Sequence, residues 1–140
     1  MRTWRWVIAL LIVLNALSGA VPAIDAAAFK LGHHPASLDL HVLPLLQSLT
    51  WPVVVLWLAS MGLFLVSAGL LVAIRGGALA VYALAFAGDL SVFLMMQGRA
   101  YDAAFNRGER TTSCIVFVLL VVMGGAIWYL DRQPSRAGAR

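Results

Sequence analysis

Asp89 is the residue whose type and position could most readily carry chemistry. It is the only charged residue in the apolar stretch from Gly76 to Gly98. At 1.5 Å per residue of helix, it lies roughly 20 Å from Gly76, near the middle of that stretch. A carboxylate at the centre of a bilayer costs about 2.5–3.5 kcal/mol, so we expect Asp89 to face protein or water rather than lipid.

Three more polar residues are expected at the same depth, namely Asn15, Ser18 and Ser60. Together with Asp89 they form a predicted buried polar layer. Tyr82 lies seven residues before Asp89, hence on the same helical face, and could extend this layer. Two interpretations remain open. Asp89 and Tyr82 could bind a proton or a substrate; alternatively, a neutral Asp89 holds helices together, and Tyr82 bonds to a backbone group.

Three histidines form the second candidate site. His33, His34 and His41, with Asp25 and Asp39 nearby, are residue types that bind zinc or copper, and His41 could bind a haem at the membrane surface. None of the spacings is diagnostic, since the chain has no HExxH, repeated HxxxH or CxxC motif. We therefore predict no metal or haem cofactor and interpret these histidines as part of a solvated polar loop.

Other classes of chemistry lack their motifs. The sequence contains no phosphate-binding glycine loop, nucleophile elbow or recognisable pair of carboxylates, which favours a non-enzymatic protein. The net charge is +4, but the ten basic residues are scattered at segment ends, so nucleic acid is not an expected partner. The single cysteine, Cys114, lies in an apolar segment and is expected to be a buried, unreactive thiol.

The composition defines the elements that must position these residues. Hydrophobic residues make up 62% of the chain and charged residues 11%, whereas soluble domains contain roughly 45–50% and about 25%. A bilayer core requires about 20 apolar residues per helix, and open strands would leave backbone groups unsatisfied in lipid. The sequence predicts an all-α integral membrane protein, a single domain over 1–140 with four antiparallel transmembrane helices in a bundle. The predicted spans are about 6–24, 52–74, 76–98 and 111–130, with a polar or interfacial loop at 25–50.

Some details of these spans depend on local signals. The first span also resembles a signal peptide, because basic residues precede it and Ala26–Ala28 could be a cleavage site, but its length favours a retained anchor. Pro52 suits a first helical turn, which predicts a cap at Thr50 or Trp51. Residues 38–46 could form a short interfacial helix. The fourth span is predicted to open at its cap-competent residues, which are Thr111, Thr112 and Ser113.

Basic and aromatic residues predict the orientation. Six basic residues fall on the side of the termini, and four fall on the other side. The first group is Arg2, Arg5, Arg75, Arg132, Arg136 and Arg140; the second is Lys30, Arg99, Arg107 and Arg110. This excess favours cytoplasmic N- and C-termini in a membrane that is expected to be the bacterial cytoplasmic membrane. The predicted interface anchors are Trp4, Trp6, Trp51, Tyr101, Trp128 and Tyr129.

Small residues at helical spacing predict which faces pack. Such stripes let helix backbones approach closely in lipid. They occur in the first three spans as Asn15, Gly19 and Ala23; Gly69 and Ala73; and Ala80, Ala83 and Ala87.

Three hypotheses of function follow. The first is a non-enzymatic accessory or assembly subunit that docks onto a larger membrane complex, with lipid and a protein partner or further copies of the chain as contacts. The second is a small-solute or proton-coupled transporter that uses Asp89, working as an oligomer because four helices enclose little volume. The third is a metal- or haem-binding oxidoreductase that uses His33, His34 and His41.

Overall fold

The computed structural model describes residues 2–34 and 41–132, and every regular element in those ranges is an α-helix. The helices are α1 (Arg2–Lys30), α2 (Leu43–Ser48), α3 (Trp51–Val72), α4 (Ala78–Met96), α5 (Arg99–Ala104) and α6 (Arg107–Arg132). Four of them, α1, α3, α4 and α6, are long and apolar enough to cross a membrane. The prediction of an all-helical chain with four candidate spans is thereby confirmed. Asp39, Arg136, Arg140 and the first part of the predicted interfacial helix lie outside the described residues.

Helix α3 is the centre of the packing. It lies closely against α1 on one side and α4 on the other, whereas α6 contacts α4 and α1 over shorter stretches. The main core joins all four long helices through side chains that are almost completely buried, including Ile12, Phe64, Leu71, Leu120 and Ile127.

Specific contacts fix how the long helices are aligned. Gly19 of α1 lies against Met61 of α3, where a Cβ on the glycine would be 2.5 Å from the methionine sulfur. Across the short α3–α4 connection, the Ser67 hydroxyl donates a hydrogen bond to the Ala78 carbonyl at 2.8 Å. The Arg5 guanidinium donates to the Leu130 carbonyl at 3.0 Å and so joins the start of α1 to the end of α6.

The packing faces of α3 and α4 differ from the predicted small-residue stripes. Ala80, Ala83 and Ala87 are exposed, and so are Gly69 and Ala73. The face of α4 that turns inward instead contains Ala78, Tyr82, Ala85, Gly88 and Val92, and that of α3 contains Ser60, Phe64, Ser67 and Leu71. Spacing alone could not distinguish the faces of α4, because both sets repeat at helical intervals. The face that packs carries polar groups with partners on other helices.

The helix that contains the fourth predicted span begins one turn before the residues predicted to cap it, so that cap prediction is wrong. Helix α6 begins at Arg107 because Asn106 and Glu109 form a capping box: the Glu109 N–H donates to the Asn106 side chain at 2.9 Å, and the Asn106 N–H donates to the Glu109 carboxylate at 2.8 Å. The hydroxyls predicted as caps lie inside the helix. They donate to carbonyls four residues earlier, in the pairs Thr111–Arg107, Thr112–Gly108 and Ser113–Glu109. The N-cap of α3, in contrast, is Thr50, as predicted.

The turn between α3 and α4 contains a strained residue. Ile74 has φ of 55°, a left-handed conformation that β-branched side chains rarely adopt. The Arg75 N–H donates to the Leu70 carbonyl and the Ile74 N–H donates to the Leu71 carbonyl, which is the hydrogen-bond pattern of a Schellman motif. Gly77 follows with φ of 94° and precedes the first residue of α4. The hairpin is therefore closed within five residues.

Candidate functional site

A cleft of about 210 Å³ lies between α1, α3, α4 and α6. Its polar lining comes from three helices: Asn15 and Ser18 of α1, Asp89 of α4 and Ser113 of α6. Three of the four residues predicted as a polar layer therefore share one space. The rest of the lining is mainly aromatic, aliphatic or thioether.

Among the described residues, Asp89 is the only acidic one that lines the cleft. Its side chain is half-buried, and none of the residues in 2–34 and 41–132 hydrogen-bonds to its carboxyl group or forms an ion pair with it. The described lining also contains no basic side chain. The carboxyl group thus lines the cleft, and none of the described residues occupies its hydrogen-bonding positions.

The two serine hydroxyls that line the cleft present acceptors to it. The Ser18 hydroxyl donates to the Asn15 backbone carbonyl at 3.0 Å, and the Ser113 hydroxyl donates to the Glu109 carbonyl at 3.1 Å. Each hydroxyl proton is thereby committed to its own helix, which leaves oxygen lone pairs as the groups available to a ligand. The Asn15 side-chain amide can both donate and accept, and the indole of Trp57, which also lines the cleft, carries an N–H donor.

Ser60 is the predicted layer residue that does not reach the cleft. It is 1% exposed, and its hydroxyl donates to the Leu56 carbonyl at 2.8 Å. Its side chain faces Gly88, where any Cβ would collide with the Ser60 oxygen. Ser60 and Gly88 therefore bring α3 and α4 together one residue before Asp89, a packing role for Ser60.

Ser113 is the cleft residue that sequence reasoning did not identify as part of the layer. The run of three hydroxyl residues predicts a cap there, which would place Ser113 at the end of its span. Because the capping box starts α6 at Arg107, Ser113 is already inside the helix and lines the cleft with residues of the other three long helices. The signal that could have found it is Asn106 followed three residues later by Glu109, which marks the true start.

Tyr82 is buried away from the cleft. Its hydroxyl donates to the Leu120 carbonyl at 2.6 Å, and its ring meets the Phe64 ring edge-on with centroids 5.3 Å apart. A Cβ on Gly124 would be 3.2 Å from the Tyr82 ring, so the glycine permits α6 to approach. Tyr82 thus has a backbone partner and connects α4 to α6.

Helix α6 has its buried residues in its second half, and its start is joined to α5 by the Arg110–Asp102 ion pair at 2.8 Å. The Arg5 guanidinium, besides its bond to the Leu130 carbonyl, lies 3.9 Å from the Asp131 carboxylate. No α6 residue before Leu120 is buried. In that first half, Phe117 contacts α4 through the rings of Phe86 and Phe93, at 6.0 and 4.9 Å between centroids. The cleft lies beside this loosely packed half.

The histidines lie apart from the cleft. His33 and His34 are exposed after α1, the His34 ring lies edge-on to Phe29 with centroids 5.3 Å apart, and His41 is exposed before α2. In the part of the chain that the structure describes, no three His, Cys, Asp or Glu side chains are close enough to hold a metal ion. The described geometry therefore gives the metal or haem hypothesis no support.

Cys114 is exposed, so the expectation of a buried thiol is wrong. It follows Ser113 on α6, and one residue along a helix turns the side chain by about 100°, away from the neighbouring helices. The predicted interface anchors, except the buried Tyr101, are also exposed and lie near the ends of the long helices. Arg132 lies over the Trp128 ring, 4.1 Å from its centroid.

Comparisons of the chain with protein-family models, curated proteins and solved structures find no match. The cleft and its residues are therefore the basis for any functional assignment.

Proposed function

We propose that the chain is an integral membrane protein whose helices α1, α3, α4 and α6 cross the bilayer as an antiparallel bundle. Support comes from the apolar character of these helices and from contacts that join the start of α1 to the end of α6. The exposed aromatic side chains near the helix ends suit the two membrane interfaces. The excess of basic residues on the side of the termini favours cytoplasmic termini, in a membrane of the bacterial cytoplasmic type.

We further propose that this bundle binds a small solute in the cleft through Asp89 and moves it across the membrane, with or without a coupled proton. The observation that carries this proposal is a half-buried carboxyl group in a 210 Å³ cleft, without a hydrogen-bond or ion-pair partner among the described residues. An ionisable residue at membrane depth is costly and marks a functional site by default. The small volume of the cleft favours a solute with few non-hydrogen atoms. Because four helices enclose so little volume, we propose that the transporter works as an oligomer.

The test is native mass spectrometry of the protein purified gently from its own membranes. We expect a small-molecule adduct on the wild-type protein that is absent from Asp89→Asn. Asp25→Asn is the matched control, because Asp25 is exposed and does not line the cleft, and it should keep the adduct. A wild-type protein without an adduct, or an adduct that Asp89→Asn keeps, would contradict solute binding at Asp89.

A second candidate, the accessory or assembly subunit, is favoured by the packing of α6. Its first half is exposed on most sides, with Ile115, Val118 and Leu119 all facing outward. A helix of a partner protein could lie there and direct a basic or polar side chain at Asp89. In the same experiment, a stoichiometric polypeptide that is lost from Asp89→Asn and kept in Asp25→Asn would support this candidate over the transporter.

A further inference from the structure

We propose that the cleft selects a small organic cation with a single aromatic ring or a similar apolar body. This inference rests on the proposed solute-binding function and specifies the class of the solute. It depends on three observations: the charge of the cleft, the direction of its hydrogen-bonding groups, and the chemistry of its walls.

The charge of the cleft favours a cation. Asp89 is its only acidic group, and the described lining offers no Lys, Arg or His to balance it. A charged group in a low-dielectric site attracts an opposite charge far more strongly than the same group in water does. A cationic ligand would therefore supply the counter-charge, whereas an anion would meet Asp89 without compensation.

The two serine hydroxyls that line the cleft with Asp89 favour the same class. The hydroxyl protons of Ser18 and Ser113 are engaged by backbone carbonyls, so their oxygens face a ligand as acceptors. Oxygen acceptors on α1 and α6 thus accompany the Asp89 carboxyl group on α4. Such a set stabilises a positive charge or a donor.

The walls of the cleft suit an aromatic or aliphatic body attached to the cation. Trp57, Phe93 and Phe117 line it, and aromatic faces attract ammonium groups. Met61 and Met96 add flexible, polarisable thioethers that adapt to the shape of a ligand. Since an apolar cavity of about 150 Å³ holds benzene, 210 Å³ suits one ring with a small cationic substituent.

The experiment measures binding of benzyltrimethylammonium to the full-length protein in lipid nanodiscs, by equilibrium dialysis with a radiolabelled probe. Its uncharged carbon isostere, neopentylbenzene, serves as the matched ligand, with empty nanodiscs as the background. We expect saturable binding of the cation that Asp89→Asn weakens about tenfold or more, because the opposite charge is lost. Asp25→Asn should bind the cation like the wild type. Neopentylbenzene should not distinguish wild type from Asp89→Asn.

A pair of neighbouring variants tests the location without altering Asp89. Ser113→Phe places a ring in the cleft and should abolish cation binding. Thr112→Phe makes the same change at an exposed residue outside the cleft, and it should leave binding within about twofold of the wild type. Equal binding by both variants would overturn the assignment of the cation to this cleft.

The outcomes separate this inference from the function on which it rests. If neopentylbenzene binds as tightly as the cation and Asp89→Asn changes neither, the cation inference is wrong; a native adduct that needs Asp89 would still support solute binding. If no native adduct exists and neither probe binds saturably, both proposals fail. Both proposals are supported if cation binding depends on Asp89 and if Ser113→Phe blocks it while Thr112→Phe does not.

Discussion

The Tyr82 hydroxyl donates a hydrogen bond to the Leu120 carbonyl at 2.6 Å and thereby connects α4 to the middle of α6. Both residues are buried, at 3% and 1% exposure, so the bond is shielded from solvent. The same tyrosine ring lies against Phe64 and Gly124. These contacts make Tyr82 a structural connection between helices rather than a cleft residue, and this assignment can be tested directly.

Tyr82→Phe should destabilise the fold without affecting the cleft. Removing the hydroxyl eliminates one buried hydrogen bond, which contributes about 1 kcal/mol to the free energy of unfolding. Unfolding in mixed detergent micelles measures this loss, and Tyr129→Phe, at an exposed position, should show none. Loss of ligand binding in a folded Tyr82→Phe protein would instead place the hydroxyl in the functional site.

Gly88→Ala should separate α3 from α4. The new Cβ would collide with the Ser60 oxygen, and overpacking of this kind costs about 1–3 kcal/mol. Gly62→Ala is the control, because nothing lies within 4 Å of its Cβ position and alanine favours helix. In the double variant Ser60→Ala/Gly88→Ala, part of the lost stability should return, as a double-mutant cycle would show. Strictly additive losses would indicate that the two residues do not interact.

Ile74→Gly should stabilise the hairpin between α3 and α4. Ile74 adopts φ of 55°, which costs a residue with a Cβ roughly 1–2 kcal/mol but is readily accessible to glycine. Glycine also loses more backbone entropy on folding than isoleucine does, which offsets part of this relief. We therefore expect the free energy of unfolding to rise by about 0.5–1 kcal/mol. Gly77→Ala, at φ of 94°, should have the opposite effect. Thermal unfolding in detergent compares the two, and a less stable Ile74→Gly would disprove the strain argument.

Asp89→Leu should leave the bundle at least as stable as the wild type, while Asp89→Asn should lose the ligand. A polar group without a partner opposes burial, so an apolar replacement removes a cost rather than a contact. This prediction distinguishes the two interpretations of Asp89. If the aspartate joins helices by hydrogen bonds, Asp89→Leu should lower the free energy of unfolding by about 1 kcal/mol in the same micelle assay.

The four long helices could be predicted because they follow from the apolar composition of the chain. Long apolar segments require helices, and Pro52 marks the start of α3, where the structure has Thr50 as the N-cap. Which face of α3 or α4 packs could not be predicted, since the exposed alanines of α4 repeat at the same intervals as its buried face. That choice depends on partners distant in sequence, such as Leu120 for Tyr82 and Ser60 for Gly88.

The candidate site shows the same division between local and distant information. Depth counting grouped Asn15, Ser18, Ser60 and Asp89, but depth does not specify rotation about each helix axis. Rotation directs Ser60 into the α3–α4 contact and the other three residues toward the cleft. Ser113 was missed for a local reason, because three hydroxyl residues in a row resemble a cap more strongly than Asn106 and Glu109 do.

The uneven attachment of α6 has a mechanical consequence. Its last turns are joined to α1 through Arg5, and its middle is joined to α4 through Tyr82, while the half that contains Ser113 has no buried residue. The first half is held by contacts nearer the surface: the Phe117 ring lies against Phe86 and Phe93 of α4, and the Arg110 guanidinium pairs with Asp102 of α5. A small tilt of this half about Leu120 would widen the cleft by loosening the Phe117 and Arg110 contacts, and the hydrogen bonds of Arg5 and Tyr82 would stay intact. If the cleft binds a solute as proposed, the ease of this tilt, together with the resting volume of about 210 Å³, would set the largest solute that fits.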